Sequence, residues 1–274
     1  MTINCLGKLI DLDHPKVMGI LNLTPDSFYD GGRYFSSDLI VKRAAKMLEE
    51  GATFIDLGAY SSRPGATDIS EEEEQARLLP AVEILLQVFP GILLSVDTFR
   101  STVAKKCLDL GAAMINDISA GGLDNKMMAA IAGYQVPYII MHMKGRPQDM
   151  QEMAQYEDIT GEVLYYFSEK LVQARALGIN DCILDPGFGF AKTRDQNYAL
   201  LQQLDQISGF GFPLMVGLSR KSMIYKILNS SAEEALNGTT ALHMVALLKG
   251  ARILRVHDVK EAVECIALYK AVEN

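Results

Sequence analysis

Polar or charged side chains stand at the end of nearly every short apolar run of this chain. In chain order they are Asn22, Asp56 with Ser62 and Arg63, Asp97, Asn116 with Asp117, His142, Asp185, Ser219 with Lys221, and Arg255 with His257. Any one of them could instead cap a helix or make a loop hydrogen bond, and for Asp56 and Asp117 that alternative stays open. Their repetition along the chain indicates a common site.

These residues form two chemical sets. The first contains short side chains that donate or accept hydrogen bonds: Asp97, Asn116 and Asp185. Such groups suit the edge of a flat heterocycle that presents N–H groups and ring nitrogens. The second combines cationic side chains with an amide: Arg63, Arg255, His257 and Asn22. This set suits an anion of the phosphate type, because a guanidinium binds such an anion with two parallel hydrogen bonds.

A lysine and a glycine-rich segment near these sets each have two interpretations. Lys221 is either a surface lysine or, if it is desolvated, a nucleophile of the Schiff-base type. The segment Gly187-Phe188-Gly189-Phe190 either lets the backbone approach a ligand, with Phe190 stacking on it, or forms a turn with a core phenylalanine. Two further segments, residues 22–37 and 142–155, exceed the usual connection of about 2–6 residues, which predicts mobile lids.

Eight apolar runs have to bring these residues together. They span residues 17–21, 54–57, 92–96, 114–116, 138–141, 182–184, 214–216 and 253–255. The runs are continuously apolar, as in parallel strands covered on both faces, and helical patterns alternate with them. We therefore predict an α/β fold, a single (β/α)8 TIM barrel that spans residues 1–274 as one domain, with a short N-terminal β-hairpin in residues 2–12. In such a barrel the residues that follow the strands meet at one end.

Composition narrows the class of protein further. The chain has 274 residues, 49% of them hydrophobic and 22% charged, and a net charge of −8. We expect no nucleic-acid partner, since the charge is negative, and no membrane association, since no apolar stretch reaches the roughly 18 residues that cross a bilayer. The four cysteines are scattered and the first residues lack a signal-peptide pattern, which predicts a cytoplasmic protein with reduced thiols.

Eight segments, in chain order, resemble the dihydropteroate synthases of folate biosynthesis. They are residues 18–28 (MGILNLTPDSF) with 30–32 (DGG), 61–66 (SSRPGA), 95–98 (SVDT), 115–119 (INDIS), 141–143 (MHM), 185–190 (DPGFGF), 219–222 (SRKS) and 255–259 (RVHDV). Related pterin-binding barrels, such as corrinoid-linked methyltransferases, share part of the Asp/Asn pattern but not the whole set.

The resemblance implies a transferase that joins (7,8-dihydropterin-6-yl)methyl diphosphate to 4-aminobenzoate, releasing diphosphate and 7,8-dihydropteroate. It also implies a homodimer and a Mg²⁺ cofactor that contacts Asn22. The pterin-binding residues would be Asp97, Asn116, Asp185 and Lys221. The diphosphate-binding residues would be Asn22, Arg63, Arg255 and His257. The aminobenzoate-binding residues would be Phe28, Ser62, Pro64, Phe190 and Ser219. The resemblance gives catalytic roles to Asp97, Lys221, Arg255 and His257.

Two departures from the family pattern bear on the aminobenzoate side. Ser62 stands where the family usually has Thr, and Gly58-Ala59-Tyr60 replaces Gly-Gly-Glu. Serine keeps the hydroxyl but loses a methyl contact, so the affinity for 4-aminobenzoate, and for the sulfonamides that mimic it, does not follow from the resemblance.

Two other functions stay open at this point. A pterin-dependent methyltransferase would bind methyltetrahydrofolate and would need no site for a diphosphate. A pterin-binding barrel without turnover would keep the pocket alone. The cationic residues Arg63, Arg255 and His257 favour the synthase over both.

Overall fold

The computed structural model describes residues 1–23, 37–60 and 68–273 of the chain. It begins with a hairpin in which β1 (Thr2–Cys5) pairs with β2 (Lys8–Asp11) in antiparallel fashion. Leu6 and Gly7 connect the two strands at φ angles of 55° and 82°, the positive values that a two-residue hairpin turn needs. The predicted N-terminal hairpin is confirmed.

Eight parallel strands form the central sheet. They are β3 (Lys16–Asn22), β4 (Phe54–Gly58), β5 (Leu94–Asp97), β6 (Met114–Asp117), β7 (Tyr138–Met141), β8 (Cys182–Asp185), β9 (Met215–Val216) and β10 (Ile253–Val256). Their order is β8-β7-β6-β5-β4-β3-β10-β9. A parallel bridge between Leu184 and Leu214 joins the two edges, and the amide of Leu184 donates to the carbonyl of Pro213 at 2.9 Å. The sheet thus closes into the predicted α/β barrel, since each end strand pairs with the other.

Helices follow the barrel strands. They are α1 (Ser37–Glu49), α2 (Glu71–Val88), α3 (Ser101–Leu110), α4 (Met127–Tyr134), α5 (Ile159–Ala176), α6 (Arg194–Gln202), α7 (Leu204–Ser208), α8 (Ser222–Tyr225), α9 (Leu236–Leu248) and α10 (Val259–Glu273). Local signals account for several ends. Ser70 caps α2 by accepting from the amide of Glu73, and Thr193 forms a full capping box with Gln196 on α6.

One element boundary differs from the sequence prediction for an identifiable reason. The run predicted over residues 92–96 becomes a strand only from Leu94. The amide of Ile92 instead closes a turn onto the carbonyl of Phe89. A backbone turn of this kind competes with the hydrogen bonds of the sheet.

The two ends of the barrel differ in the side chains that they bury. Inside the barrel, one residue from most strands joins an apolar cluster with the hairpin: Ile3, Cys5, Ile10, Leu12, Met18, Phe54, Leu93, Ala113, Met114, Ile139, Ile183, Met215 and Ile253. The hairpin therefore plugs the end at which the strands begin. The opposite end, where the strands finish, is left for ligand binding, as is general for this architecture.

Two further features concern the part of the chain that the structure describes. In that part of the structure, no helix has the length and apolar content needed to span a membrane. The four cysteines are buried and unpaired: Cys5, Cys107, Cys182 and Cys265.

Candidate active site at the carboxyl ends of the strands

The register of the sheet aligns four residues in one row at the ends of neighbouring strands. Asn22 on β3 pairs with Gly58 on β4, Gly58 pairs with Asp97 on β5, and Asp97 pairs with Asn116 on β6. Gly58 matters because it has no side chain. A Cβ there would lie 3.5 Å from Oδ1 of Asn22 and 3.5 Å from Cβ of Asp97. The row therefore contains the amide of Asn22, the carboxylate of Asp97 and the amide of Asn116, with open space above Gly58 between the first two.

Arg255, at the end of β10, lies between two carboxylates of this region. Its Nε donates to Oδ2 of Asp56 at 2.7 Å, and its Nη2 donates to Oδ2 of Asp97 at 2.7 Å. Burial raises the pKa of the Asp97 carboxyl to about 7; the Arg255 guanidinium opposes that rise and the Asp56 carboxylate adds to it. The pKa of Arg255 is raised above its ordinary value, because burial is outweighed by the two carboxylates. One guanidinium thus donates hydrogen bonds to two carboxylates and partly balances their charge.

Unpaired buried acceptors point to a ligand with hydrogen-bond donors. The side chain of Asn116 donates to Asp56 at 3.1 Å, but its Oδ1 has no hydrogen-bond partner among the described residues. The same holds for Oδ1 of Asp56, whose side chain is fully buried. Buried polar atoms are nearly always hydrogen-bonded, so these two acceptors are available to donors of a bound molecule or of water.

Asp117, although next to Asn116, is a structural residue. Its carboxylate accepts from the amide and hydroxyl of Ser119, from the amide of Gly121 and from the hydroxyl of Tyr138 at distances of 2.6 to 2.8 Å. Its capacity as an acceptor is used within the protein. Of the two aspartates left open by the sequence, Asp56 therefore lies in the site and Asp117 holds the loop after β6.

Lys221 reaches into the same space from the loop after β9. Its ammonium donates to the carbonyl of Phe188 and lies 4.8 Å from the centroid of the Phe190 ring. Burial lowers the pKa of Lys221 to about 8, while Asp185 opposes the fall. Asp185, at the end of β8, is buried, and burial raises the pKa of its carboxyl against the opposing charge of Lys221. Lys221 is thus not a surface lysine.

Ser219 and His257 form a polar pair across the strands β9 and β10. The hydroxyl of Ser219 lies 3.0 Å from Nδ1 of His257, and the amide of His257 donates to that hydroxyl at 3.2 Å. The neighbouring residues lock the same two loops together, because Arg220 binds Asp258 with two hydrogen bonds of 2.8 and 2.7 Å. The pair is held at the mouth of the barrel by this bidentate contact.

Four predicted site residues lie outside the described part of the chain: Phe28, Ser62, Arg63 and Pro64. Two arginines contact the described residues on either side of the segment that contains three of them. Arg77 donates to the carbonyl of Ala59 at 3.2 Å, and Arg100 donates to the carbonyl of Ile69 at 2.7 Å.

The structure also shows a residue at this end that the sequence did not single out. Lys192 is buried, with 3% of its surface exposed, and its ammonium contacts the end of β7 and the loop after β8. A lysine in a loop is most often solvated, and neither its type nor its spacing distinguishes this one. Only the three-dimensional packing identifies it.

Comparisons with known proteins give a consistent result. The family model of pterin-binding enzymes matches residues 18–257. The dihydropteroate synthase of Escherichia coli (strain K12) is 45% identical over 267 residues, which cover 97% of this chain and 94% of that protein. The chain is also similar to the Yersinia pestis dihydropteroate synthase solved with a sulfonamide drug, with a TM-score of 0.93, 42% identity and coverage of 100% and 99% of the two chains.

A further solved structure, the Xanthomonas albilineans dihydropteroate synthase with 4-aminobenzoic acid, gives a TM-score of 0.92 at 37% identity and covers 99% of this chain and 98% of its own. These similarities extend over the barrel and over the ends of its strands. The chain belongs to the family of pterin-binding enzymes and, within it, to the dihydropteroate synthases.

Proposed function

We propose that this chain condenses (7,8-dihydropterin-6-yl)methyl diphosphate with 4-aminobenzoate to give 7,8-dihydropteroate and diphosphate. The observation that carries the proposal is the buried Oδ1 atom of Asn116, which has no partner among the described residues. The Nδ2 of the same side chain donates to Asp56, and Asn116 is in register with Asp97. A pterin edge carries an amino group and ring N–H groups, and such donors match a row of acceptors. The family membership and the relatives' printed activity support the same reaction.

The proposed pterin site consists of four residues: Asp97, Asn116, Asp185 and Lys221. The residues proposed to bind the diphosphate are Asn22, Arg63, Arg255 and His257. The residues proposed to bind 4-aminobenzoate are Phe28, Ser62, Pro64, Phe190 and Ser219. The contact between Lys221 and Phe190 supports a common boundary between the pterin and aminobenzoate sites. A ring bound there could stack on Phe190.

The residues proposed to be catalytic act by electrostatics rather than by nucleophilic attack. Departure of the diphosphate leaves a cation delocalised over the pterin, and the carboxylate of Asp97 is placed to stabilise it. Arg255 and His257 would bind the leaving diphosphate, and Lys221 would hold the pterin. The amine of 4-aminobenzoate then forms the new C–N bond and loses a proton. The reaction needs no Schiff base at Lys221, since the amine of 4-aminobenzoate is the nucleophile.

We also propose that Mg²⁺ takes part, bound mainly by the diphosphate. Among the described residues, no three His, Cys, Asp or Glu side chains are grouped so that they could hold a metal ion alone. The side-chain oxygen of Asn22 lies at the mouth and fits the preference of Mg²⁺ for oxygen ligands, with substrate phosphates and water completing the shell. When bound, the ion would neutralise charge on the departing diphosphate.

The test is release of diphosphate by the purified chain. Mixed with the pterin diphosphate, 4-aminobenzoate and Mg²⁺, it should release diphosphate and form dihydropteroate, and omission of 4-aminobenzoate should abolish both. Release of diphosphate at the same rate with and without 4-aminobenzoate would refute the proposal. Transfer of a methyl group from methyltetrahydrofolate would support the methyltransferase instead, and pterin binding without either product would support a barrel without turnover.

We also propose that the chain forms a homodimer and that it is located in the cytoplasm. Exposed apolar side chains on α9 and α10, Leu248, Leu268 and Val272, support an interface on this side of the barrel. Sedimentation velocity of the purified chain should give twice the mass of 30.1 kDa, and a species of single mass would contradict it. The buried, unpaired thiols support a reducing compartment.

A further inference from the structure

Lys192 places a buried amino group between two loops of the barrel mouth. Its Nζ lies 3.0 Å from the carbonyl oxygen of Gly187, 3.0 Å from that of Phe190 and 3.3 Å from that of His142. It also lies 3.0 Å from Nδ1 of His142. Burial lowers the pKa of the Lys192 amine. With either two or three hydrogens on its nitrogen, every N–H has an acceptor among these neighbours. None of these partners is a carboxylate.

His142 is suited to accept from this lysine. Burial, with the charges of Lys192 and Lys144, lowers the pKa of the His142 imidazole to about 2, so the ring is neutral. A neutral imidazole with its proton on Nε2 offers Nδ1 as an acceptor. The ring is fixed by an edge-to-face contact with Tyr166 at 4.9 Å between centroids. The end of β7 thus provides a rigid acceptor pair, the ring nitrogen and the carbonyl of His142.

The loop on the other side of Lys192 carries groups of the proposed site. Between the two carbonyls that Lys192 binds lies Phe188, whose own carbonyl accepts from Lys221. The ring of Phe190 lies against the same Lys221 ammonium. At the start of the loop, the amide of Gly187 donates to Asp185 at 2.8 Å. The position of this loop therefore sets the position of Lys221 relative to Asp185.

We propose that Lys192 is a positioning residue for the pterin site: it ties the Gly187–Phe190 loop to the end of β7 and so holds Lys221 in place through the carbonyl of Phe188. Lys192 itself does not need to touch substrate, because its hydrogens are engaged with protein acceptors. This inference rests on the proposed function only for the choice of ligand.

A double-mutant cycle on pterin affinity tests the inference. The probe is 6-hydroxymethyl-7,8-dihydropterin, and its dissociation constant is measured by calorimetry for the unaltered chain, Lys192→Met, Lys221→Met and the double variant. We expect Lys192→Met alone to weaken binding by roughly tenfold, and by less than about threefold when Lys221 is already replaced, because the effect travels through Lys221. Equal losses in both backgrounds would overturn the inference, as would unchanged affinity in a folded Lys192→Met chain.

A matched control and a conservative variant complete the design. Lys170→Met removes a partly buried lysine that donates to a single carbonyl, that of Ala120 at 2.8 Å, and it should leave pterin affinity unchanged. Lys192→Gln keeps donors and should recover part of the affinity, even if Lys192→Met does not fold. If neither variant folds, or if Lys192→Gln binds no better than Lys192→Met, the inference fails. If the unaltered chain does not bind the pterin at all, the proposed function fails instead.

Discussion

The guanidinium of Arg255 is hydrogen-bonded to both Asp56 and Asp97. It therefore has two tasks in the proposed site. It compensates buried negative charge within the protein, and it offers its remaining N–H groups to the diphosphate. A guanidinium can combine the two, since it has five donors in a plane.

Removal of this guanidinium should destabilise the fold in a pH-dependent way. Arg255→Met leaves two carboxylates without a counter-charge, and we expect the free energy of unfolding to fall by about 3 to 5 kcal/mol near pH 8. The loss should shrink near about pH 5, because the Asp97 carboxyl, whose pKa burial raises to about 7, takes up a proton as the pH falls. Urea unfolding at the two pH values measures the difference.

The control for that variant is an exposed ion pair. Arg194→Met removes the surface contact with Asp195 and should change the unfolding free energy by less than about 1 kcal/mol at either pH. A loss for Arg255→Met that is independent of pH would contradict the charge argument.

Pterin affinity should depend on pH in a bell shape. Ionised Asp97 accepts hydrogen bonds at both oxygens and more strongly than the protonated acid, and its raised pKa of about 7 makes affinity rise as the pH increases through that value. Lys221 must be protonated, and its lowered pKa of about 8 makes affinity fall as the pH increases further. Calorimetry with a dihydropterin from about pH 5 to about pH 10 should show both limbs.

Two variants test which residue causes each limb of this pH profile. Asp97→Asn should remove the acid limb, because an amide does not ionise, and Lys221→Arg should remove the alkaline limb, because a guanidinium stays protonated. An affinity that is constant between about pH 6 and about pH 9 would refute both assignments.

At the scale of elements, the loop after β8 is packed against the end of β7 with no spare space. A Cβ at Gly187 would lie 2.1 Å from the carbonyl oxygen of His142, and the residue has a φ angle of +67°. Gly187→Ala should therefore displace the loop, weaken pterin binding at least roughly tenfold and lower stability by more than about 1 kcal/mol. Titration with the dihydropterin and urea unfolding check the two effects.

Gly211 provides a matched control for this substitution. It also has a positive φ, +74°, but a Cβ there would meet nothing within 4 Å. Gly211→Ala should cost stability through backbone strain alone and leave pterin affinity unchanged. Similar pterin affinities for the two alanine variants would show that the close approach at Gly187 is not important for binding.

At the scale of the whole molecule, stability and function are separated along the barrel axis. The hairpin plugs the amino ends of the strands, and Ile3 is almost completely buried there with 1% exposure. Ile3→Ala should lower the free energy of unfolding by about 2 to 5 kcal/mol and leave the KM values of both substrates unchanged. Urea unfolding and steady-state kinetics measure the two quantities.

An exposed residue of the same hairpin is the control for Ile3. Leu9 is 69% exposed, and Leu9→Ala should change stability by less than about 0.5 kcal/mol. A rise in either KM for Ile3→Ala would show that the two ends of the barrel are coupled.

The charge of the chain also has a meaning at this scale. With a net charge of −8, the protein repels a diphosphate over most of its surface. The cations of the mouth, Lys221 and Arg255 with the predicted Arg63, would have to supply the attraction locally.

The prediction of one domain over residues 1–274 stays a prediction.

Local patterns in the sequence determined the elements and the composition of the mouth. The apolar runs are short and most of them end at or next to a polar residue, so the strands and most of the candidate residues were predictable without contacts. The hairpin turn at Leu6 and Gly7 and the cap at Ser70 were predictable for the same reason, since neighbours in sequence decide them.

Tertiary structure alone decided which side chains are paired and which acceptors remain. Arg255 meets Asp56 and Asp97 across 199 and 158 positions of sequence, through a strand register that no local pattern encodes. The same register leaves Oδ1 of Asn116 without a partner among the described residues, and the packing of two loops surrounds Lys192 with carbonyl groups. Burial and charge pairing depend on distant parts of the chain meeting, so Asp56 and Asp117, alike in sequence, have different roles.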